Sequence, residues 1–140
     1  MRIHSAIGRW TLSAVATLAL GHAGTSIAGD TKLSGQEETP PVATAATGTA
    51  KISVSDDKKI KGSVTTTGVE GTAAHIHLGA AGEKGPPVIT LVKGDAGQWS
   101  VPADTVLTDE QFAAYKAGKL YVNVHSAANK GGEIRGQLQP

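Results

Sequence analysis

The sequence predicts an all-β fold, an antiparallel β-sandwich or Greek-key barrel of about eight short strands with one short helical insertion. Three observations lead there. Short runs alternate apolar and polar residues with period two, the pattern of strands that bury one face. Turn-forming residues separate these runs, in a chain that holds 18 glycines overall. Only one stretch, 108–118, combines a helix start, a helical face and a helix stop.

Residues 1–28 read as a secretory signal peptide. Arg2 and Arg9 supply the positive region, Trp10 to Leu20 the apolar core, and Ser26-Ile27-Ala28 the small residues of a cleavage site. Gly21 and Ala23 satisfy the same small-residue rule, and cleavage near Ala28 is preferred. The apolar core is about eleven residues, against roughly twenty for a bilayer span, so no membrane anchor is expected after cleavage. The expected destination is the periplasm or the medium outside the cell. The sequence has no cysteine, which excludes disulfides, thiolate metal sites and a thioether lipid anchor. A twin-arginine pair is also absent, so the chain is expected to cross unfolded and to acquire any metal afterwards.

The remaining 29–140 suffice for one domain with a modest core, its folded part spanning about 31–138. Without Arg2 and Arg9 the basic count falls from 13 to 11 against 12 acids, a formal charge of −1, so the pI near 8.0 describes the precursor. No basic patch interleaved with aromatics is present, and nucleic acid is not an expected partner.

In chain order, Leu33 is expected to enter an edge strand. Glu37 to Thr47, with Pro40-Pro41, reads as an extended connection, because proline cannot donate to a sheet ladder. Gly48 to Ser55 and Ile60 to Thr67 alternate on either side of Asp56-Asp57-Lys58-Lys59 and form a hairpin. A strand over 74–78 leads into the glycine loop 79–86, read as flexible and as lacking any phosphate-binding fingerprint. Pro87 to Lys93 is expected as one short strand, turned by 94–97 into 98–101, where Trp99 packs in the core. Thr108 and Gln111 form a capping box, Asp109 and Glu110 favour the helix N-terminus, and Gly118 ends the helix. Strands at 119–126 and 133–138 complete the domain. In the last, Ile134, Gly136 and Leu138 face inward, with Glu133, Arg135 and Gln137 outside.

Five histidines occur, and two of them, His4 and His22, fall in the leader. In a strand, residues two apart share a face, so His75 and His77 project together, away from Ala74, Ile76 and Leu78. In the later run Leu120, Val122 and Val124 form the apolar face, and Tyr121, Asn123 and His125 the polar one. If these strands are neighbours, three imidazoles gather. Neutral imidazole is the commonest metal ligand, and the set suits copper or zinc, copper being favoured on intrinsic affinity. Asn123 or Glu133 is placed to orient a histidine from behind. The competing reading is architectural: the histidines hydrogen-bond loop carbonyls and knit the strands to the glycine loop. No nucleophile triad or carboxylate pair stands out, so binding is expected in preference to catalysis.

Three blocks, LSGQEETPPV at 33–42, AHIHLGAAGEKGPPVITL at 74–91 and LYVNVHSAANKGGEIRGQL at 120–138, resemble the CHRD (chordin) domain family. The resemblance implies an extracytoplasmic β-sandwich. In chordin these domains belong to an extracellular growth-factor antagonist, which makes an extracellular protein a possible partner here. The His-x-His strand with a later-strand histidine is also similar to the copper–zinc superoxide dismutase architecture. That likeness implies a copper-holding geometry for His75, His77 and His125, and invites comparison of Arg135 with an anion-guiding arginine. The zinc ligands, the bridging histidine and the disulfide of that family have no counterpart. Three functions follow: a metal-binding module, an extracellular interaction domain with architectural histidines, or a small dismutase-like metalloenzyme.

Overall fold

A computed structural model describes residues 29–140. The expected leader, 1–28, lies outside the described residues. Nine strands and one helix follow: β1 (Thr31–Ser34), β2 (Thr47–Val54), β3 (Ile60–Thr67), β4 (Gly71–Leu78), β5 (Pro87–Thr90), β6 (Val92–Lys93), β7 (Gln98–Ser100), α1 (Asp109–Lys116), β8 (Leu120–Ser126) and β9 (Ile134–Gln137). All pairings are antiparallel, in the order β5-β4-β8-β9-β1-β2-β3-β7-β6. The all-β class expected from alternation is the one observed, as a nearly closed barrel.

Alternation dictates which side chains fill the interior. Ala50, Ile52 and Val54 of β2 lie inside, as do Ile60 and Val64 of β3, Ala74 and Ile76 of β4, and Leu120, Val122 and Val124 of β8. Burying each larger aliphatic side chain among these contributes about 1.5–3 kcal/mol. Trp99 joins them as expected, and the Gly71 backbone packs so close that a Cβ there would sit 2.6 Å from the indole Cζ2. Helix α1 starts at the capping box, with Gln111 N–H donating to Thr108 Oγ1 and Thr108 N–H donating to Gln111 Oε1. It ends at Gly118, whose φ of 72° is open to glycine at little cost, and Tyr115 is the residue it buries.

Three expectations are corrected. β1 is not an edge strand: it lies between β9 and β2, joined to β9 through the Ser34–Arg135 pair. The run 87–93 is not one strand. β5 pairs with β4, Leu91 N–H donates to Ala74 O, and β6 then pairs with β7 on the other flank of the barrel. The mostly apolar run conceals this change of partner: Ile89 and Leu91 are buried, whereas Val92 in β6 is 53% exposed, a difference that apolar character alone does not signal. The polar faces of β8 and β9 are not solvent-facing either. Tyr121, Asn123, Glu133 and Arg135 are all buried, beneath loops 79–86, 127–132 and the segment after β1.

Candidate metal centre

β4 and β8 pair along their length, with His75 opposite Asn123 and His77 opposite Tyr121. Register therefore brings all three histidines to one face. Asn123 stands among them: opposite His75, diagonal to His77, and two residues before His125. The ring centroids are 5.0 Å apart for His75 and His125, 5.5 Å for His75 and His77, and 6.0 Å for His77 and His125. One ring nitrogen from each lies within 4.8 Å of the others.

Hydrogen bonds set the tautomers. His77 Nδ1 is 2.8 Å from Gly85 O and His125 Nδ1 is 2.8 Å from Lys130 O. A carbonyl only accepts, so both Nδ1 atoms carry the proton and both Nε2 atoms present lone pairs. His125 Nε2 lies 3.1 Å from His75 Nδ1, which donates to it when neutral. His77 Nε2 is buried with no hydrogen-bond partner. Burial first, and the neighbouring His125 and His77 next, hold His75 below the ordinary imidazole pKa. Burial likewise holds His77 low, although its Gly85 hydrogen bond opposes the shift. Both rings are therefore kept in the neutral form that ligates metal.

The loop over the site is pinned rather than flexible. Arg135, 2% exposed, donates from Nη1 to Glu83 O at 2.6 Å and from Nη2 to Ala80 O at 2.9 Å. Gln137 Nε2 donates to Gly79 O, and Gly85 N–H donates to Tyr121 Oη. The Arg135 guanidinium also lies 3.4 Å above the Tyr121 ring, and Tyr121 stacks on His77 at 4.9 Å and 11°. Buried and committed to carbonyls, Arg135 cannot receive an anion from solvent; its comparison with an anion-guiding arginine fails on burial. It is the clamp that seats the Gly85 carbonyl on His77.

Glu133 does not orient a histidine. Its carboxylate accepts from Ser126 Oγ at 2.8 Å, Thr44 Oγ1 at 3.0 Å and Asn129 Nδ2 at 3.1 Å. These bonds hold its pKa below the usual carboxylate range, the Ser126 bond most strongly. The orienting groups are the Gly85 and Lys130 carbonyls, which no side-chain pattern signals. Glu38 was also missed. It lies 7% exposed beside Asn123 and Arg135, in a proline-rich segment that carries no periodicity.

Among the described residues, an antiparallel barrel with a histidine cluster on its outer face, roofed by loops, is the class that fold and site define. The family model of the CHRD domain matches residues 30–138, and the chain belongs to that family. Comparison with curated proteins and with solved structures finds no match.

Proposed function

We propose that this CHRD domain is a secreted or periplasmic binding module that holds one copper or zinc ion through His75, His77 and His125. One observation carries the reading. Two of the three rings have Nδ1 tied to a backbone carbonyl, which leaves Nε2 as their ligating atom, and one ring nitrogen from each of the three lies within 4.8 Å of the others. Four-coordinate ions with metal–nitrogen bonds of about 2.0–2.1 Å need nitrogens about 3.3–3.4 Å apart. The His75 Nδ1–His125 Nε2 separation of 3.1 Å is close to this. An ion would replace the proton shared by that pair, with His75 turning its proton to Nε2, and ring rotation closes the wider separations. Three imidazoles leave a tetrahedral ion one open position, which a small ligand or water can fill. The leader-like 1–28 supports the location outside the cytoplasm.

The second reading, an extracellular interaction domain with architectural histidines, draws on the same hydrogen bonds. The Gly85 and Lys130 contacts fasten both loops with no ion needed. The buried His77 Nε2, with no donor facing it, favours the metal reading. Calorimetric titration of copper and zinc into metal-stripped wild type and His75→Ala, His77→Ala and His125→Ala decides. Stoichiometric uptake lost in each variant supports the site; wild type and His125→Ala binding alike overturns it in favour of the interaction domain.

A further inference from the structure

Behind the histidines lies a buried polar group that the metal site does not itself use. Among the described residues, four buried side-chain atoms have no hydrogen-bond partner, and three of them belong to neighbouring residues: Asn123 Oδ1, His77 Nε2 on the diagonal position of the paired strand, and Glu38 Oε1 beside the Asn123 amide. Buried polar atoms are overwhelmingly paired, so three together mark a place with a task. Glu38 and Asn123 are held side by side beneath Gly132. A Cβ at that glycine would fall on Glu38 Oε1 and 2.6 Å from Asn123 Nδ2. Asn123, 3% exposed, is the floor of the histidine cluster by register.

We propose that Glu38 is a positioning residue of the metal centre: it fixes the Asn123 amide so that Oδ1, and not the NH2 group, faces the ligating nitrogen of His77. The inference rests on the metal reading above. Its chemistry is a choice between two amide orientations. Asn123 Nδ2 donates to Gly131 O at 3.5 Å and lies on the side of the Glu38 carboxylate, which favours that orientation and leaves Oδ1 for the His77 side. That orientation leaves the His77 lone pair free and puts the negative end of the amide dipole beside an incoming cation. The flipped amide would donate to His77 Nε2 and occupy the lone pair the ion needs. Asn123 favours the charged form of Glu38, in keeping with the first orientation. Arg135 and Lys84 favour ionised Glu38 also, against burial, which is the largest influence and raises its pKa.

The test is metal affinity of the full chain, with copper(II) or zinc alone as the probe, in wild type, Glu38→Gln, Asn123→Leu and the double variant. Glutamine keeps size and shape but can donate to Asn123, which releases the flipped amide. Glu38→Gln should weaken binding about 10–100-fold while its melting temperature at pH 7 does not fall, because a buried charge is removed. Asn123→Leu should weaken binding similarly, and adding Glu38→Gln to it should change affinity less than twofold, since Glu38 acts through the amide. A red or blue shift of the copper(II) visible band in Glu38→Gln is the accompanying signature. Wild-type affinity in Glu38→Gln, with His77→Ala still abolishing binding, overturns this inference alone. An equal further loss in the double variant also overturns it, as action through space. No binding by wild type overturns the metal reading itself.

Discussion

Replacing Gly85 by alanine tests the link between the roofing loop and the histidines. A Cβ there would land on the Leu78 carbonyl oxygen, with the Leu78 carbonyl carbon at 2.6 Å. These are backbone atoms of β4 that cannot rotate aside, so the loop must lift. Three hydrogen bonds depend on its seat: His77 to Gly85 O at 2.8 Å, Gly85 N–H to Tyr121 Oη at 3.1 Å, and Leu78 N–H to Pro86 O at 3.0 Å. At a net value of about 1 kcal/mol each, their loss costs about 3 kcal/mol. The smaller conformational freedom of alanine in the unfolded chain offsets about 0.4–1 kcal/mol. The expected net loss is about 2 kcal/mol, read from urea unfolding midpoints. Freed of the Gly85 carbonyl, His77 loses its fixed tautomer, and copper or zinc affinity should fall about 10–100-fold. Gly131→Ala is the control, because a Cβ there meets nothing within 4 Å. A Gly85→Ala protein within 0.5 kcal/mol of wild type, as expected of a surface change, and with unchanged metal affinity, would refute the reasoning.

Metal affinity should hold from pH 8 to about 6.5 and drop steeply below, because burial keeps His75 and His77 beneath the ordinary imidazole value of about 6.5; titrations at stepped pH would show it, and a fall already complete at pH 7 would contradict it. Glu133 has a folded pKa below its unfolded one, so its contribution is present above the ordinary carboxylate range and lost as pH falls through the folded value. Glu133→Gln should therefore be less stable than wild type at pH 7, with the gap narrowing towards pH 3 in urea melts. Arg135→Met removes the donors to Ala80 O and Glu83 O and should cost about 2–4 kcal/mol, with faster hydrogen exchange in 79–86. Thr108→Ala removes the cap of α1 and should cost about 1 kcal/mol, measured by the same unfolding midpoints.

Alternation made the barrel legible. Ala50, Ile52 and Val54 point inward because period two leaves them no other common face, and the same rule gathered His75, His77 and His125 once β4 and β8 paired. What period two does not convey is whether the opposite face meets water. Arg135 and Asn123 look like solvent-facing residues in a strand pattern, and their burial depends on loops whose path is set by tertiary hydrogen bonds. Segment 87–93 reads as one strand for another reason: a mostly apolar run has no clear period to break where the chain changes partners at Leu91. Glu38 was invisible because its neighbours Thr39-Pro40-Pro41 adopt no repeating structure, so its burial has no local cause. Carbonyls such as Gly85 O leave no mark on a side-chain pattern at all.

That change of partners at Leu91 has a consequence for how copies of the chain meet. An open sheet offers two edge strands on which a second molecule can add its own strand, the route to aggregation. Here the two terminal strands of the sheet, β5 and β6, are successive in the chain, separated by Leu91 alone, and only four and two residues long. Pro86 and Pro87 interrupt the donor row at the start of β5, and Lys93, at the end of β6, adds a charge. A copy seeking to extend this sheet finds short, proline-guarded stubs that the same segment holds together. With no cysteine to cross-link the fold, resistance to sheet growth between molecules resides in residues 86–93.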